Sequence, residues 1–326
     1  MTGAGGARPA GAGVPVALSA VIVAVAGDRP RLVVVDRPAA GPGLPEGGLD
    51  RQGDSTLELG VRRAVRDQVG LDLGYVEQLY TFGDRGRVAG ARTLSVAYLA
   101  LTRQRSLSRS RARWIDWYDL LPWEDWRAGS PPVLDQVLRP HLERWASAPP
   151  DPAACARRRE RVGSAFGLGA PWDGERALDR YELAYEAGLV AEVRVDQAGG
   201  TGREQDHPGA GGAEVGVPLV HDHRRIAATA LSRLRGKLRY RPLVFELLPP
   251  TFTLLQLQRV VEALAGVALH KQNFRRFLER EGLVEGTGQV EEGARGRPAE
   301  LFRFRPEVLR QRPSIGVTVP TLRPLA

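Results

Sequence analysis

Stretches of apolar residues along the chain predict an N-terminal sheet built around one helix. Four segments have the apolar runs of strands: PVALSAVIVAVAG (15–27), RLVVVDR (31–37), VEQLYTFG (76–83) and TLSVAYLALT (93–102). TLELGVRRAVRDQVG (56–70) has its apolar residues at helical spacing and ends in Gly70, which predicts a helix. The Gly- and Pro-rich stretch 38–53 is predicted to be a loop. These elements indicate an α+β or sandwich-type domain.

The middle of the chain changes its pattern twice. WIDWYDLLPWEDW (114–126) holds four tryptophans, which either stack on a ligand or pack a loop against its own domain or a partner subunit. Helical patterns follow at about 133–147, 153–166 and 174–192. The stretch 196–216 has almost no apolar residues, so we expect a disordered linker there.

Helical periodicity returns after this linker. Helices are predicted at 221–238 and 253–264, and the stretch 265–284 is predicted to be a short turn followed by a third helix at 270–281. A β-hairpin with a Gly- and Arg-rich tip is predicted at 282–306. Thr253 is placed to cap the second of these helices. The second and third helices, joined around Gly266, have the proportions of a helix-turn-helix.

Composition limits the class of protein. The 326 residues are 43% apolar and 26% charged, which suits a soluble chain of two domains. The sequence has no membrane-spanning apolar run and no signal-peptide pattern, and the single Cys155 excludes an intrachain disulfide. We therefore expect a cytoplasmic protein that makes no contact with a membrane.

The positive charge of the chain is confined to its last third. Residues 223–326 hold 19 Arg and Lys against 9 Glu and Asp, a net charge of +10. Residues 1–222 hold 27 against 29, a net charge of −2. Positive charge concentrated on one module indicates a polyanionic partner.

The second helix of the predicted helix-turn-helix has one apolar and one polar face. Its buried stripe is predicted to be Phe274, Phe277 and Leu278. The candidate DNA-binding side chains point the other way: Lys271, Gln272, Asn273, Arg275 and Arg276. Arginine can bind guanine through two hydrogen bonds, and Asn or Gln can bind adenine, in the major groove of double-stranded DNA. The alternative is a small helical domain with a solvated basic face.

Two further groups of basic residues are candidates for phosphate contacts. Arg295 and Arg297 lie in the hairpin tip GARGRPAE (293–300), where they suit a neighbouring phosphate or the minor groove. A second group occupies the helix 221–238 and the residues after it: Arg233, Arg235, Lys237, Arg239 and Arg241. RNA is the weaker candidate, because the pattern offers no aromatic stacking platform on a sheet.

The segment GGL…LELGVRRAVRDQVGL (47–71) resembles the Nudix box, a glycine turn followed by a helix with metal-binding glutamates. The match retains Arg63, Val65, Gly70 and Leu71. The glutamates of the box are replaced, since their positions fall on Ala64, Asp67, Gln68 and, upstream, Asp54 or Ser55. Magnesium needs several oxygen ligands from one helical face. The resemblance therefore implies a Nudix fold that is not an enzyme and requires no cofactor.

Two alternatives to this interpretation of the box stay open. An active Nudix hydrolase of a nucleoside diphosphate derivative could use unconventional metal ligands, namely Asp54, Glu58 and Asp67. The helix could also carry Arg and Gly at these spacings by chance, with no relation to the Nudix box.

Both halves of the chain together resemble the Nudix-related transcriptional regulators of NAD metabolism, the NrtR family. The similarity is greatest in VEQLYTFGDRGR (76–87), LRYRPLVFELLPPTFTLLQLQRVVEAL (238–264) and HKQNFRRFL…GRPAELFRF (270–304). It implies an N-terminal Nudix-like α/β/α sandwich and a C-terminal winged helix-turn-helix, with a helical and partly disordered middle segment. The predicted boundaries are 1–14 (flexible N-terminus), 15–148 (Nudix-like sensor), 149–195 (helical segment), 196–220 (disordered linker), 221–310 (winged helix) and 311–326 (tail).

The resemblance also implies an effector and the residues around it. Such regulators bind ADP-ribose or another NAD-derived nucleotide in the Nudix fold, and the ligand changes their affinity for DNA. The implied ligand-binding residues are Arg37, Gly47, Gly48 and Arg63 at the pyrophosphate, and Tyr80, Phe82 and Arg85 near the ligand or a dimer interface. For Tyr80 and Phe82 the alternative is the alternating core of a strand.

The function implied is a homodimeric repressor of NAD-related genes that binds a palindromic operator in double-stranded DNA. A Nudix domain without its glutamates would bind the nucleotide signal without destroying it. The remaining alternative is a constitutive DNA-binding protein whose Nudix domain serves only for dimerisation.

Overall fold

The structure is a computed structural model of the chain. The residues it describes are 14–38, 40–83, 93–169, 171–194, 215–291, 298–308 and 316–317. Within these residues, no helix is both long enough and apolar enough to cross a membrane.

A seven-stranded mixed sheet forms the N-terminal part of the molecule. Its strands are β1 (Val16–Ala26), β2 (Arg29–Arg37), β3 (Gly41–Gly43), β4 (Glu46–Gly48), β5 (Tyr75–Phe82), β6 (Leu94–Leu101) and β7 (Ala112–Asp116). The main order is β3-β2-β1-β6-β5, with β4 also paired to β1 and β7 to β2. Strands β1 and β6 run parallel. The central strand β1 is buried from Leu18 to Ala24, because helices cover both faces of the sheet.

Helix α1 (Leu57–Val69) covers one face, as the periodicity of 56–70 predicts. The Thr56 hydroxyl accepts a hydrogen bond from the Leu59 amide and caps the helix, and Gly70 ends it in the left-handed conformation with φ 75°. The apolar stripe of α1 packs on strand residues that include Leu18, Ile22 and Val33.

Further helices follow the sheet in the part of the chain that the structure describes. These are α2 (Trp117–Leu120), α3 (Arg139–Ser147), α4 (Pro152–Phe166), α5 (Ala177–Glu186), α6 (His223–Leu238), α7 (Leu254–Ala265) and α8 (Lys271–Glu281). Helix α6 packs on β1 and β5, α7 packs on β2, and α5 packs on α6. The sheet, the middle segment and the C-terminal helices therefore share one hydrophobic core.

The stretch 38–53, predicted as a loop, contains two short strands, so that prediction is wrong. Val35 pairs with Gly43, and Leu18 pairs with Gly47. Glycine and proline have low strand propensity, so local composition hides these strands. Pairing with the long strands β1 and β2 imposes their conformation.

The tryptophan-rich segment 114–126 spans the end of β7, which was not predicted, and α2. Trp117 and Trp123 are fully buried and Trp126 is nearly so. The Trp126 ring lies 4.5 Å from that of Trp172, centroid to centroid. Of the two predicted roles, these three rings take the packing role and leave no face for a ligand.

Helix α4 confirms the middle helix predicted at 153–166, whereas the other two are shorter or less regular than expected. The helix at 133–147 begins with a π-helical stretch, Leu134–Leu138, before α3. The helix at 174–192 begins as a 3-10 turn, and α5 ends at Glu186 because Gly188 is left-handed with φ 74°. Most of the predicted linker 196–216 lies outside the described residues.

The C-terminal helices and hairpin form a winged helix, as predicted. Thr253 and Gln256 form a capping box that opens α7. The turn to α8 passes through Gly266, which is left-handed with φ 72°, and α8 confirms the helix predicted at 270–281. The wing consists of β8 (Val284–Val290) and β9 (Glu300–Phe304), and Phe252 pairs with Phe302 alongside them. The hairpin tip 292–297 lies outside the described residues.

Candidate functional site

The candidate nucleotide cradle is the turn formed by β3, β4 and the start of α1. At the first replaced glutamate position, Ala64 is buried and its methyl group faces Gly47. A Cβ atom on Gly47 would lie only 2.8 Å from the Cβ of Ala64. The close approach of β4 to α1 thus requires a glycine opposite a small residue.

Gln68, at another replaced position, holds the same turn through its amide. Its Oε1 accepts from the Glu46 amide at 3.2 Å, and its Nε2 donates to the Glu46 carbonyl. A carboxylate at this position could accept the first bond but could not donate the second. Gln68 therefore acts as a clamp between α1 and β4.

Arg63 is held by two hydrogen bonds to Asp54. Its Nε lies 2.9 Å from Oδ1 and its Nη2 lies 2.7 Å from Oδ2, while Nη2 also donates to the Gly48 carbonyl at 3.1 Å. The side-chain hydrogen bond from Arg63 lowers the pKa of Asp54 to about 2. This ion pair ties the loop before α1 to the helix, beside Gly48.

The alternative set of metal ligands consists of carboxylates that each face an arginine. Asp54 binds Arg63, Glu58 binds Arg62 at 2.8 Å, and Asp67 lies 3.9 Å from Arg63. Among the described residues, no three His, Cys, Asp or Glu side chains converge on a position that a metal ion could occupy.

Arg37 lies at the base of the cradle. Its Nη2 donates to the Leu44 carbonyl at 2.9 Å and lies 3.8 Å from a carboxylate oxygen of Glu46. Burial lowers the pKa of Arg37, and the nearby Glu46 carboxylate opposes that shift. The Nη1 atom is buried without a hydrogen-bond partner among the described residues.

His223, from helix α6, is a buried residue that holds the backbone of the turn at Leu44, and the sequence analysis missed it. Its Nδ1 accepts from the Leu44 amide at 2.9 Å, and its ring is fully buried. The neighbouring Val220 amide donates to the Pro42 carbonyl at 2.9 Å. A Cβ on Gly43 would lie 1.7 Å from Arg37 and 2.5 Å from Val220, so only glycine fits here. No local pattern marks His223, because its partner is 179 positions away in the chain.

The predicted aromatic pair on β5 divides into one buried and one exposed residue. Phe82 is 5% exposed and belongs to the core, whereas Tyr80 is 62% exposed. Their ring centroids are 5.4 Å apart in an edge-to-face arrangement. Phe82 thus fits the strand-core alternative and Tyr80 does not. Arg85 lies outside the described residues.

Helix α8 provides the candidate DNA-binding face. Phe274 and Leu278 are buried and Phe277 is half-buried, as the spacing predicts. The predicted contact residues are all exposed: Lys271, Gln272, Asn273, Arg275 and Arg276. Arg276 donates to the Asn273 side chain at 2.9 Å. The side chains of Lys271, Gln272 and Arg275 make no hydrogen bond or ion pair to any other residue that the structure describes.

The other predicted phosphate contacts divide into three groups. Arg295 and Arg297 lie outside the described residues. Arg233, Arg239 and Arg241 are exposed, with Arg239 paired to Glu175 at 3.0 Å. For Arg235 and Lys237 the prediction is wrong, since Arg235 is buried against Glu124 and Lys237 binds Glu77 of β5. The helical pattern of α6 does not show that this face packs on the sheet.

Known proteins match both the C-terminal part and the fold as a whole. Residues 244–304 match the NrtR DNA-binding winged helix domain. The ADPR responsive transcriptional repressor NtrR of Acinetobacter baylyi is 42% identical over 88 residues, which is 27% of this chain and 35% of that protein. The matched part therefore spans about a third of that relative's length.

Two solved structures share the architecture of nearly the whole chain. NrtR of Shewanella oneidensis, complexed with a 27mer DNA, is 23% identical with a TM-score of 0.54, over 90% of this chain and 95% of that one. A MutT/nudix family protein from Enterococcus faecalis is 14% identical with a TM-score of 0.52, over 92% and 89%. The fold is therefore a Nudix-like domain followed by a winged helix domain.

Proposed function

We propose that this chain, whose residues 244–304 form an NrtR DNA-binding winged helix domain, is a transcriptional repressor of NAD-related genes. Its Nudix-like domain would bind ADP-ribose or a related nucleotide as an effector without hydrolysing it. The protein would act in the cytoplasm as a homodimer on a palindromic operator.

The observation that carries this proposal is the outer face of α8. Its cationic and amide side chains are exposed, while the apolar residues of the same helix pack inward. Lys271, Gln272 and Arg275 have donors that no described residue binds. Such groups match the hydrogen-bonding edges of bases in the major groove. In a two-fold dimer, two copies of α8 would lie about 34–36 Å apart, one turn of DNA.

The effector part of the proposal is supported by the cradle and by the relative from Acinetobacter baylyi, which is named as ADPR responsive. Cationic side chains complement a pyrophosphate, and Arg37 and Arg63 both lie on the cradle. Gly47 and Gly48 allow a close approach of the backbone, and Tyr80 offers an exposed ring on β5. We propose these residues, with Phe82 and Arg85, as the surroundings of the nucleotide.

The loss of hydrolysis is supported by the substitutions in α1. Ala64 has no ligand atom, and Gln68 uses its amide to hold β4. The general base of an enzyme contributes a factor of about 10²–10⁴ in rate, and the metal ligands are replaced as well. We expect no magnesium-dependent release of AMP from ADP-ribose. Steady turnover with magnesium would instead support the hydrolase alternative with Asp54, Glu58 and Asp67.

The test is fluorescence anisotropy of the full-length protein on the DNA upstream of its own gene, titrated with ADP-ribose. Random DNA of equal length is the control for sequence specificity, and AMP is the control for ligand specificity. We expect specific binding that ADP-ribose changes about 5- to 150-fold, the usual range of coupling between two sites. Specific binding that ignores ADP-ribose would support the constitutive alternative. Equal binding to both DNAs would contradict the regulator itself.

A further inference from the structure

Helix α6 contacts the nucleotide cradle at its first residue. The His223 side chain accepts a hydrogen bond from the Leu44 amide. Val220, three residues before His223, donates its amide to the Pro42 carbonyl of β3. Gly43 lies in the space between Arg37, Val220 and His223 with no room for a side chain. Any shift of the turn 41–46 must therefore also move the start of α6.

The same helix contacts the helix-turn-helix near its last turn. Arg235 is buried, and its Nε donates to the Leu264 carbonyl at 3.1 Å, at the end of α7. Its Nη2 donates to the Glu124 carbonyl at 3.0 Å and to the Tyr118 hydroxyl at 3.3 Å. Arg235 is thus bound to backbone that leads directly into the turn before α8.

The tryptophan-rich segment reinforces this second contact. The Tyr118 hydroxyl donates to the Ala263 carbonyl at 2.7 Å, and the Trp126 amide donates to the Gly266 carbonyl at 2.7 Å. A Cβ on Gly266 would lie 2.3 Å from the Glu124 carbonyl oxygen, so the two backbones are in direct contact. The turn of the helix-turn-helix is therefore fixed to the Nudix-like domain by hydrogen bonds and by shape.

The buried carboxylate of Glu124 makes this junction stiff. Arg180 of α5 binds it at 2.6 and 2.8 Å, and Arg235 binds it from the other side. Burial alone raises the pKa of Glu124, but the two guanidinium groups outweigh that effect and hold the pKa below its usual value. Separating Glu124 from either arginine would be strongly destabilising, because it would leave a buried charge uncompensated.

We propose that α6 is the coupling element between effector and DNA, a role that rests on the proposed function. His223 and Arg235 are twelve positions apart, about 18 Å along a helix. Ligand-induced movement of the turn 41–46 would be transmitted from Leu44 to His223 and along α6 as one body. Arg235 would then displace the carbonyl end of α7 and reorient α8. Close-packed interiors transmit such strain because they have no free volume to absorb it. His223 is a positioning residue here and need not touch the nucleotide.

The test compares two variants of the full chain, one without and one with a hydrogen-bond acceptor in the side chain at position 223. His223→Leu removes the acceptor for the Leu44 amide at similar size, whereas His223→Asn keeps an acceptor at the position of Nδ1. We expect ADP-ribose to bind all three proteins, and DNA to bind them equally without the ligand. The effect of ADP-ribose on DNA affinity should fall below 2-fold in His223→Leu and stay near the wild-type value in His223→Asn.

Tyr118→Phe tests the other end of α6 independently. It deletes one hydroxyl, and with it the bond to the Ala263 carbonyl and the bond from Arg235, without changing the shape of the core. We expect the same loss of coupling, with unchanged binding of either ligand alone. This variant remains informative if His223→Leu does not fold.

Hydrogen exchange separates failure of this inference from failure of the proposed function. In the wild type, ADP-ribose should change amide exchange both in 41–48 and in 262–267. In His223→Leu only 41–48 should respond. A response of 262–267 in that variant equal to the wild type would overturn the role of α6. No response of 41–48 in the wild type would instead contradict the effector site of the proposed function.

Discussion

Helices α1 and α8 are both amphipathic and both carry arginines, yet their polar groups are used in opposite ways. On α1, Arg62, Arg63 and Arg66 each bind a carboxylate of the same domain, and Gln68 binds the backbone of β4. On α8, Lys271, Gln272 and Arg275 bind no residue that the structure describes. Within the residues that the structure describes, α1 therefore uses its polar groups to hold its own domain together, whereas these three side chains of α8 remain available for an external partner.

The largest expected effect comes from Arg275→Ala on α8. A good pair of hydrogen bonds to one base is worth about 1–3 kcal/mol of discrimination, so the preference for operator over random DNA should fall about 5- to 150-fold. Anisotropy on both DNAs measures this preference. Arg276→Ala should have a similar effect, because Arg276 can exchange its hydrogen bond to the Asn273 side chain for one to a base. If both variants still discriminate as the wild type does, α8 is not the recognition helix.

A smaller effect is expected where α1 uses its polar groups internally. Gln68→Glu restores a glutamate of the Nudix box but leaves the Glu46 carbonyl without its donor. Leaving such a group unsatisfied costs about 1–3 kcal/mol, which urea unfolding can detect. Asp67→Asn is the matched control, since that side chain is 63% exposed and should change stability by less than about 0.5 kcal/mol. Equal stability of the two variants would argue against the clamp.

Arg297 should contribute to affinity without contributing to specificity. If it neutralises one phosphate, Arg297→Ala should reduce the slope of log K against log salt by about 0.9. Binding to operator and random DNA should weaken by the same factor, because phosphate contacts carry no sequence information. A change in slope on the operator alone would place this arginine on a base.

The smallest effect concerns the ion pair that closes the cradle. The pKa of Asp54 is lowered to about 2 by Arg63, below its value of about 3.9 in an unfolded chain. Its contribution to stability is therefore complete above about pH 4 and is lost as the pH falls towards 2. Asp54→Asn should be less stable than the wild type at pH 7. Its free energy of unfolding should also fall less steeply as the pH is lowered from about 4 to 2. Parallel stability curves for the variant and the wild type would show that the pair contributes nothing.

An element of the fold was predictable from the sequence where its local pattern and its tertiary contacts favour the same secondary structure. Helices α1 and α7 begin at a capping threonine, α8 ends at the left-handed Gly282, and all three have apolar stripes in their own sequence, so their prediction was confirmed. Strands β3 and β4 consist mostly of glycine and proline, and only their pairing with β1 and β2 makes them strands. For α5, the left-handed Gly188 ended a helix that the apolar pattern continued.

The candidate site was predictable to a similar degree. The residues of α8 follow from helical spacing, because one exposed face is a local property. His223 and Arg235 do not, since their roles depend on partners in a different part of the chain. Arg235 was predicted to contact phosphate, because the local sequence does not distinguish a buried arginine from an exposed one. Only the packing of α6 on β1 and β5 shows that it lies inside.

The shared core has a consequence for the synthesis of the chain. Strands β1, β2 and β5 leave the ribosome long before α6 and α7, the helices that lie on their second face. Translation adds about 5–20 residues per second, so the roughly 120 residues between β6 and α6 take about 6–24 s. During that interval, the part of the sheet that α6 and α7 cover in the finished protein has no cover from these two helices.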